Sequence, residues 1–245
     1  MEVTLFAEKI AQIGALPLTN TLITTWLVMA AIVSFSYLAG KNIAAVPGKL
    51  QNVAEILVDT LYQTVLSLTD EKRAQRFFPL LATFFIFILV ANYFGLLPGV
   101  GTIGFHGLHD GKVTFVPLFR SINSDLNLTL GLALISVAVT HYYSINTVGI
   151  VDYLKRYFSL NPVNLFVGLL EIVAEITKVL SLSFRLFGNI FAGEALLVTI
   201  SSLFAFVLPL PFMFLEIIVG FVQAAIFMML TLVFMSILTE KHSVH

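Results

Sequence analysis

Apolar runs long enough to cross a bilayer recur along this chain, and the longest, residues 163–208, carries a guanidinium near its middle. A run of this kind reads as a membrane helix, because lipid leaves backbone polar groups no partners but one another. Arg185 is the residue that most limits the fold. An arginine at the centre of a spanning helix costs about 2.5–3.5 kcal/mol on insertion scales, and roughly 10–17 kcal/mol in simulations of isolated helices. It has company. Glu171, Glu175, Lys178, Asn189 and Glu194 share its run, and Glu216 and Gln223 lie in the next one. At 100° per residue, positions 171, 175, 178, 185 and 189 fall within about 80° of one another on a helix and form one polar stripe.

The chain has 245 residues, of which 58% are hydrophobic and only 11% charged. Its mean hydropathy is +0.98, and soluble domains carry about 25% charged residues. These values describe an integral membrane protein with the lipid bilayer as its surroundings. A net charge of −1 gives no basic face for nucleic acid, and no such partner is expected. Cysteine is absent, which excludes disulfides and thiolate metal sites. The first residues, Met1-Glu2-Val3-Thr4, lack the basic stretch of a signal peptide, so the first apolar segment is expected to stay as a membrane helix.

The expected organisation is all-α and polytopic, a single membrane-embedded domain over residues 1–245. A first span covers residues 21–39, with Trp26 near its outer end as an interfacial anchor. Over residues 47–70, Leu50, Val53, Ala54, Leu57, Leu61, Val65 and Leu68 recur at helical spacing while Lys49, Glu55, Asp59 and Gln63 interrupt them. This pattern predicts an amphipathic helix on the membrane surface. Spans follow at 78–97 and 126–144, joined by a long polar, Gly-containing loop with His106, His109, Asp110, Lys112 and Arg120. Loops of that length usually carry a function. After a short basic connector with Asp152, Lys155 and Arg156, two long runs, 163–208 and 211–239, form a tilted helical hairpin around Pro209-Leu210-Pro211. Five spans with the N-terminus outside put Lys41, Lys49, Lys72, Arg73, Arg76, Lys155, Arg156 and Lys241 in the cytoplasm. Only Lys9, Lys112 and Arg120 are then outside, as the positive-inside rule requires. In that orientation Glu171 lies near the cytoplasm, Glu194 and Glu216 near the outside, and Arg185 between them.

Each polar residue has a plain reading beside the functional one. Arg185 can lock two helices through Glu171 or Glu194. Asn189 and Gln223 can be helix–helix contacts, and Asp125 can cap the helix that begins after it or, with Asn127, open onto an outer aqueous path. Glu194 and Glu216 have no cation close in sequence, which suits a proton relay or a water-lined channel better than two salt bridges. Gly99-Val100-Gly101-Thr102-Ile103-Gly104 matches a dinucleotide fingerprint by letter, but it follows a membrane helix rather than a strand. His106 and His109 read as solvated loop histidines and His141 as a packed or interfacial one. The sequon Asn127-Leu128-Thr129 reads as the start of a span. No metal site and no catalytic group are expected.

The run Ser181-Leu182-Ser183-Phe184-Arg185-Leu186-Phe187-Gly188-Asn189-Ile190-Phe191-Ala192-Gly193-Glu194 resembles the signature of subunit a of the F-type ATP synthase. Gln223-Ala224-Ala225-Ile226-Phe227, Asn92-Tyr93-Phe94-Gly95-Leu96-Leu97-Pro98 and Asp125-Leu126-Asn127-Leu128-Thr129 resemble that family's other motifs, in the same order. The resemblance implies a non-catalytic, cofactor-free stator subunit of a bacterial plasma membrane that translocates ions, in the first place protons. It implies a rotor ring of small c-type hairpin subunits and peripheral-stalk b-type subunits as partners. By the same resemblance Arg185 is the essential arginine, Glu171 belongs to a cytoplasmic half-channel, and Asn189, Glu194, Glu216 and Gln223 line the ion path. Asn92, Asp125 and Asn127 are further candidates for its outer half. Two positions depart from the pattern: Glu194 and Glu216 are both acids where the family often pairs a histidine with an acid, and Ser121-Ile122-Asn123-Ser124 lacks the usual proline turn.

The physics of such a device needs one fixed cation. A rotor carboxyl facing lipid must keep its proton, because desolvating the anion is expensive. About 4 Å from a guanidinium, at an effective dielectric near 20, the anion gains about 4 kcal/mol, so ionisation is confined to the stator. Arginine, unlike lysine, stays charged and passes no proton itself. The competing reading is a secondary transporter with Arg185 binding an anionic substrate. Such proteins show internal repeats and helices broken at mid-membrane, whereas here prolines 79, 98, 162, 209 and 211 are expected at segment ends.

Overall fold

The computed structural model describes residues 8–13, 16–41, 43–97, 99–109, 112–158, 162–203 and 207–239. Seven α-helices carry the architecture among them: α1 (Asn20–Gly40), α2 (Lys49–Leu66), α3 (Glu71–Gly95), α4 (Leu126–Val148), α5 (Ile150–Tyr157), α6 (Pro162–Leu203) and α7 (Pro209–Thr239). Of these, α1, α3, α4 and α7 are long and apolar enough to cross a membrane. The protein is helical and polytopic. To the helices the structure adds two small antiparallel hairpins that apolar patterning does not reveal, β1 (Lys9–Ile13) with β2 (Leu16–Thr19) and β3 (Gly104–His109) with β4 (Lys112–Pro117).

Helix α3 starts at Glu71, well ahead of the apolar run at Phe78, so Pro79 lies inside the helix and not at a segment end. The extra turns hold Glu71, Lys72, Arg73 and Arg76, good helix formers whose long stems suit a membrane boundary. Arg73 reaches back to Asp70 at the N-cap position, 3.2 Å away. Pro79 donates no backbone hydrogen bond, and its own carbonyl also accepts Thr83 Oγ1 at 2.7 Å. Prolines begin α6 and α7 at Pro162 and Pro209, where a missing N–H has no consequence.

In the main core cluster Phe77, Leu81 and Ile88 of α3 meet Phe227, Met228, Leu232 and Met235 of α7, with Leu182 and Leu186 of α6 and Ala133 of α4, and a smaller cluster groups Val28 of α1, Ala91 of α3 and Ile122. Lipid tails are as apolar as these side chains, so packing and polar ties hold such helices together. Three ties mark the path of α4. Thr129 meets Ser183 at 3.2 Å, Ser136 meets Thr231 at 2.9 Å, and Ser144 Oγ donates to Leu238 O at 2.7 Å. They set α4 parallel to α7. Helix α2 lays Leu61 and Val65 on α3 and leaves Leu50, Val53 and Ile56 open.

At one end of the bundle the long connection between α3 and α4 is ordered by hydrogen bonds. Gly99 and Gly101 take φ of 108° and 80° in the turns that lead to β3, and no helix opens there. After β4 a single 3₁₀ turn, Ile122–Ser124, precedes α4. Asn20 Nδ2 donates to Pro117 O at 3.4 Å, and the Arg120 amide donates to Thr24 Oγ1 at 3.3 Å. The side chains of His106 and His109, like Asp110 and Lys241, lie outside the described residues. At the opposite end Gly149, φ 94°, turns the chain into α5, and α5 docks on α6 at Gly168, where a Cβ would strike the Tyr157 backbone.

Candidate functional site

Helix α6 sets the site. Leu182 and Leu186 face the core and fix its rotation, which leaves Arg185 exposed on the flank. The Arg185 guanidinium donates to Ser181 Oγ, one turn back, at 3.3 Å. Around it the helix presents small side chains: Ser181 and Ala192 are exposed, and Gly188 has open space where a Cβ would stand. Small residues let another helix approach closely. Phe184, at 53% exposure, flanks this shallow face.

One turn beyond Arg185, Asn189 Nδ2 donates to Gln223 Oε1 of α7 at 2.6 Å. Gln223 is buried, so the amide pair ties α6 to α7 beside the arginine. Next in the same direction comes the carboxyl pair. Gly193 has no side chain, and Glu216 lies in the space: a Cβ there would be 2.6 Å from Glu216 Oε1 and 2.9 Å from its Cδ. Glu194 is close enough for the two carboxyls to feel each other's charge. Both are half-buried, and Oε2 of each is buried without a hydrogen-bond partner.

Asn92 joins this group from α3. Its Nδ2 donates to Gly220 O, one turn from Glu216, at 3.0 Å, and its Oδ1 accepts from Asn123 Nδ2 at 2.6 Å. Asp125 serves the fold with both oxygens: Oδ1 accepts the Asn127 amide at 2.9 Å as the cap of α4, and Oδ2 accepts Thr21 Oγ1 of α1 at 2.9 Å. Asn127 is exposed at the first turn of α4.

Toward the other end of α6, Glu175 and Lys178 pair at 2.7 Å. His141 of α4 approaches Glu175 at 3.6 Å and Tyr153 of α5 at 3.0 Å. Glu171 lies half-buried one turn further. The polar stripe thus divides, with Glu171, Glu175 and Lys178 on one side of Arg185 and Asn189, Glu194, Glu216, Gln223 and Asn92 on the other. Sequence reasoning missed the joining of His141 and Tyr153 to this stripe, and also Asn123. Helical spacing shows which residues share a face, but not which residue of another helix stands opposite. No cluster of three or more metal-ligating side chains occurs among the described residues.

Comparison with known proteins identifies the family. The family model described as ATP synthase A chain matches residues 22–236. ATP synthase subunit a 1 of Hahella chejuensis is 34% identical over 225 residues, which is 92% of this chain and 86% of the relative. ATP synthase subunit a of Desulfosudis oleivorans is 37% identical over 217 residues, 87% of this chain and 85% of the relative. That of Syntrophobacter fumaroxidans is 35% identical over 231 residues, 93% and 87% respectively. With the match running through all seven helices and over most of each relative, the chain belongs to the ATP synthase A chain family.

Proposed function

We propose that the chain translocates protons as the stator of a rotary F-type ATP synthase, with Arg185 as the fixed charge between two half-channels. The observation that carries this reading is the exposed Arg185 guanidinium on a face of small residues, with one polar group on either side of it along α6. A buried tie between helices would have turned it inward. The outer half-channel comprises Glu194, Glu216, Asn189 and Gln223, with Asn92, Asp125 and Asn127 toward its mouth. The inner one contains Glu171. A rotor carboxyl passing Arg185 is ionised there, gives its proton to the inner side and takes another from the outer side. The membrane potential contributes about 2.3 kcal/mol per charge per 100 mV.

In this reading the whole chain is one membrane-embedded domain, and α6 joins α1, α3, α4 and α7 as the fourth of five spans in chain order. At 1.5 Å per residue its 42 residues extend about 63 Å, twice a hydrocarbon core of about 30 Å, so it crosses tilted and pairs with α7 as a hairpin. Helix α2 lies on the membrane surface. The N-terminus is outside and the C-terminus in the cytoplasm of a bacterial plasma membrane. A ring of c-type subunits faces Arg185, b-type subunits of the peripheral stalk bind elsewhere on the bundle, and the chemistry of ATP belongs to other subunits. Arg185→Ala in the assembled complex tests the proposal. ATP synthesis in inverted vesicles is expected to fall to background while the subunit remains in the membrane, and synthesis at the wild-type rate would refute it.

A further inference from the structure

Where α5 docks, α4, α5 and α6 bring six titratable side chains into a single cluster. His141 of α4 sits at its centre. Its Nδ1 is 3.0 Å from the Tyr153 hydroxyl of α5, and its Nε2 is 3.6 Å from Glu175 Oε2 of α6. The other Glu175 oxygen accepts Lys178 Nζ at 2.7 Å, and that ammonium lies 4.8 Å from the centre of the Phe234 ring on α7. Tyr157 packs its ring 5.2 Å from that of Tyr153 and is within electrostatic reach of Glu175 and Glu171. Burial, together with Tyr153 and these carboxyls, pushes the Tyr157 phenol up, so it lines the cluster as a neutral group. The cluster is not sealed. The side chains of His141, Lys178 and Glu175 keep 25%, 23% and 13% of their exposure.

A pair between Glu175 and Lys178, three residues apart on one helix, needs no imidazole to hold it. An imidazole adds a different capacity: its ordinary titration falls between pH 5 and 8, and it can take a proton on one ring nitrogen while the other stays hydrogen-bonded. Lys178 lies two turns, about 10 Å, from Arg185 along the same stripe, with Glu175 and Glu171 next. A proton that leaves Arg185 along this stripe reaches the cluster next.

We infer that His141 is a proton relay of the inner half-channel, an inference that rests on the stator reading above. Nδ1 keeps its proton on the Tyr153 oxygen, Nε2 takes the arriving proton from the Glu175 carboxyl, the imidazolium forms beside the carboxylate left behind, and Nε2 yields that proton to water at the exposed edge of the ring, which restores the neutral ring and its tautomer. Tyr153 orients the ring through Nδ1.

The test uses the whole synthase in vesicles, with ATP-driven proton pumping measured against the pH on the Glu171 side. The wild-type rate should bend with that pH. His141→Gln should slow pumping several-fold and remove the bend, and His141→Ala should regain part of its rate when imidazole is added to the medium. Tyr153→Phe should keep pumping but flatten the bend. A His141→Gln complex with the wild-type rate and profile would overturn the relay. So would a loss in His141→Ala that is equal at every pH and unrelieved by imidazole, since that marks a packing role. Should the His141 variants fail to assemble, Glu175→Gln replaces them, with an unchanged profile counting against the relay. Arg185→Ala separates the two levels: its failure to uncouple removes the stator reading itself, whereas normal pumping by His141→Gln removes the relay alone.

Discussion

A methyl group at residue 193 would fall 2.6 Å from Glu216 Oε1, whereas at residue 188 it would meet nothing within 4 Å. The obstructed atom is the tip of a flexible side chain, so Gly193→Ala should displace the carboxyl and spare the helix, which alanine favours by about 1 kcal/mol. Passive proton flow through the membrane sector is expected to fall several-fold in Gly193→Ala. Flow at the wild-type rate would mean that Glu216 does not act from its position at Gly193. At this scale the sequence shows part of the site. The stripe through Glu171, Arg185 and Asn189 follows from 100° spacing within one helix, and the cap at Asp125 follows from its place before the apolar run. The meeting of Asn189 with Gln223, or of His141 with Glu175, depends on the register between helices, which no local pattern encodes.

Between elements, the Asn92 side chain spans three: α3 carries it, the Gly220 carbonyl of α7 accepts from it, and Asn123 of the 3₁₀ turn donates to it. Hydrogen bonds between membrane helices contribute about 0.6 kcal/mol on average and up to about 1.7. Asn92→Ala should therefore lower the unfolding free energy in detergent by about 1 kcal/mol and loosen α7 near Glu216. Stability and proton flow both at wild-type values would show that this junction carries neither load. The lengths of the apolar runs place α1, α4 and α7 closely. They place the start of α3 late, because Lys72, Arg73 and Arg76 form helix without being apolar. The hairpin of β3 and β4 is missed because its pairing lies outside the membrane pattern.

For the molecule as a whole, the proposed half-channels require the two polar groups to open on opposite sides of the membrane. The chain has no cysteine, so single cysteines at Glu171 and Glu216 can be labelled without background. An impermeant thiol reagent outside the cell should reach position 216 and not 171, and inverted vesicles should reverse the pattern. Labelling of both from one side would describe a continuous pore, which would conduct ions without turning anything. The flank of α6 around Arg185 has a consequence of its own. Helices that interlock ridge into groove settle in preferred registers and resist sliding. Ser181, Gly188 and Ala192 offer little relief to lock into, so successive rotor helices passing this flank would meet low steric barriers. The flank would act as a bearing, its friction set by electrostatics at one charge more than by shape.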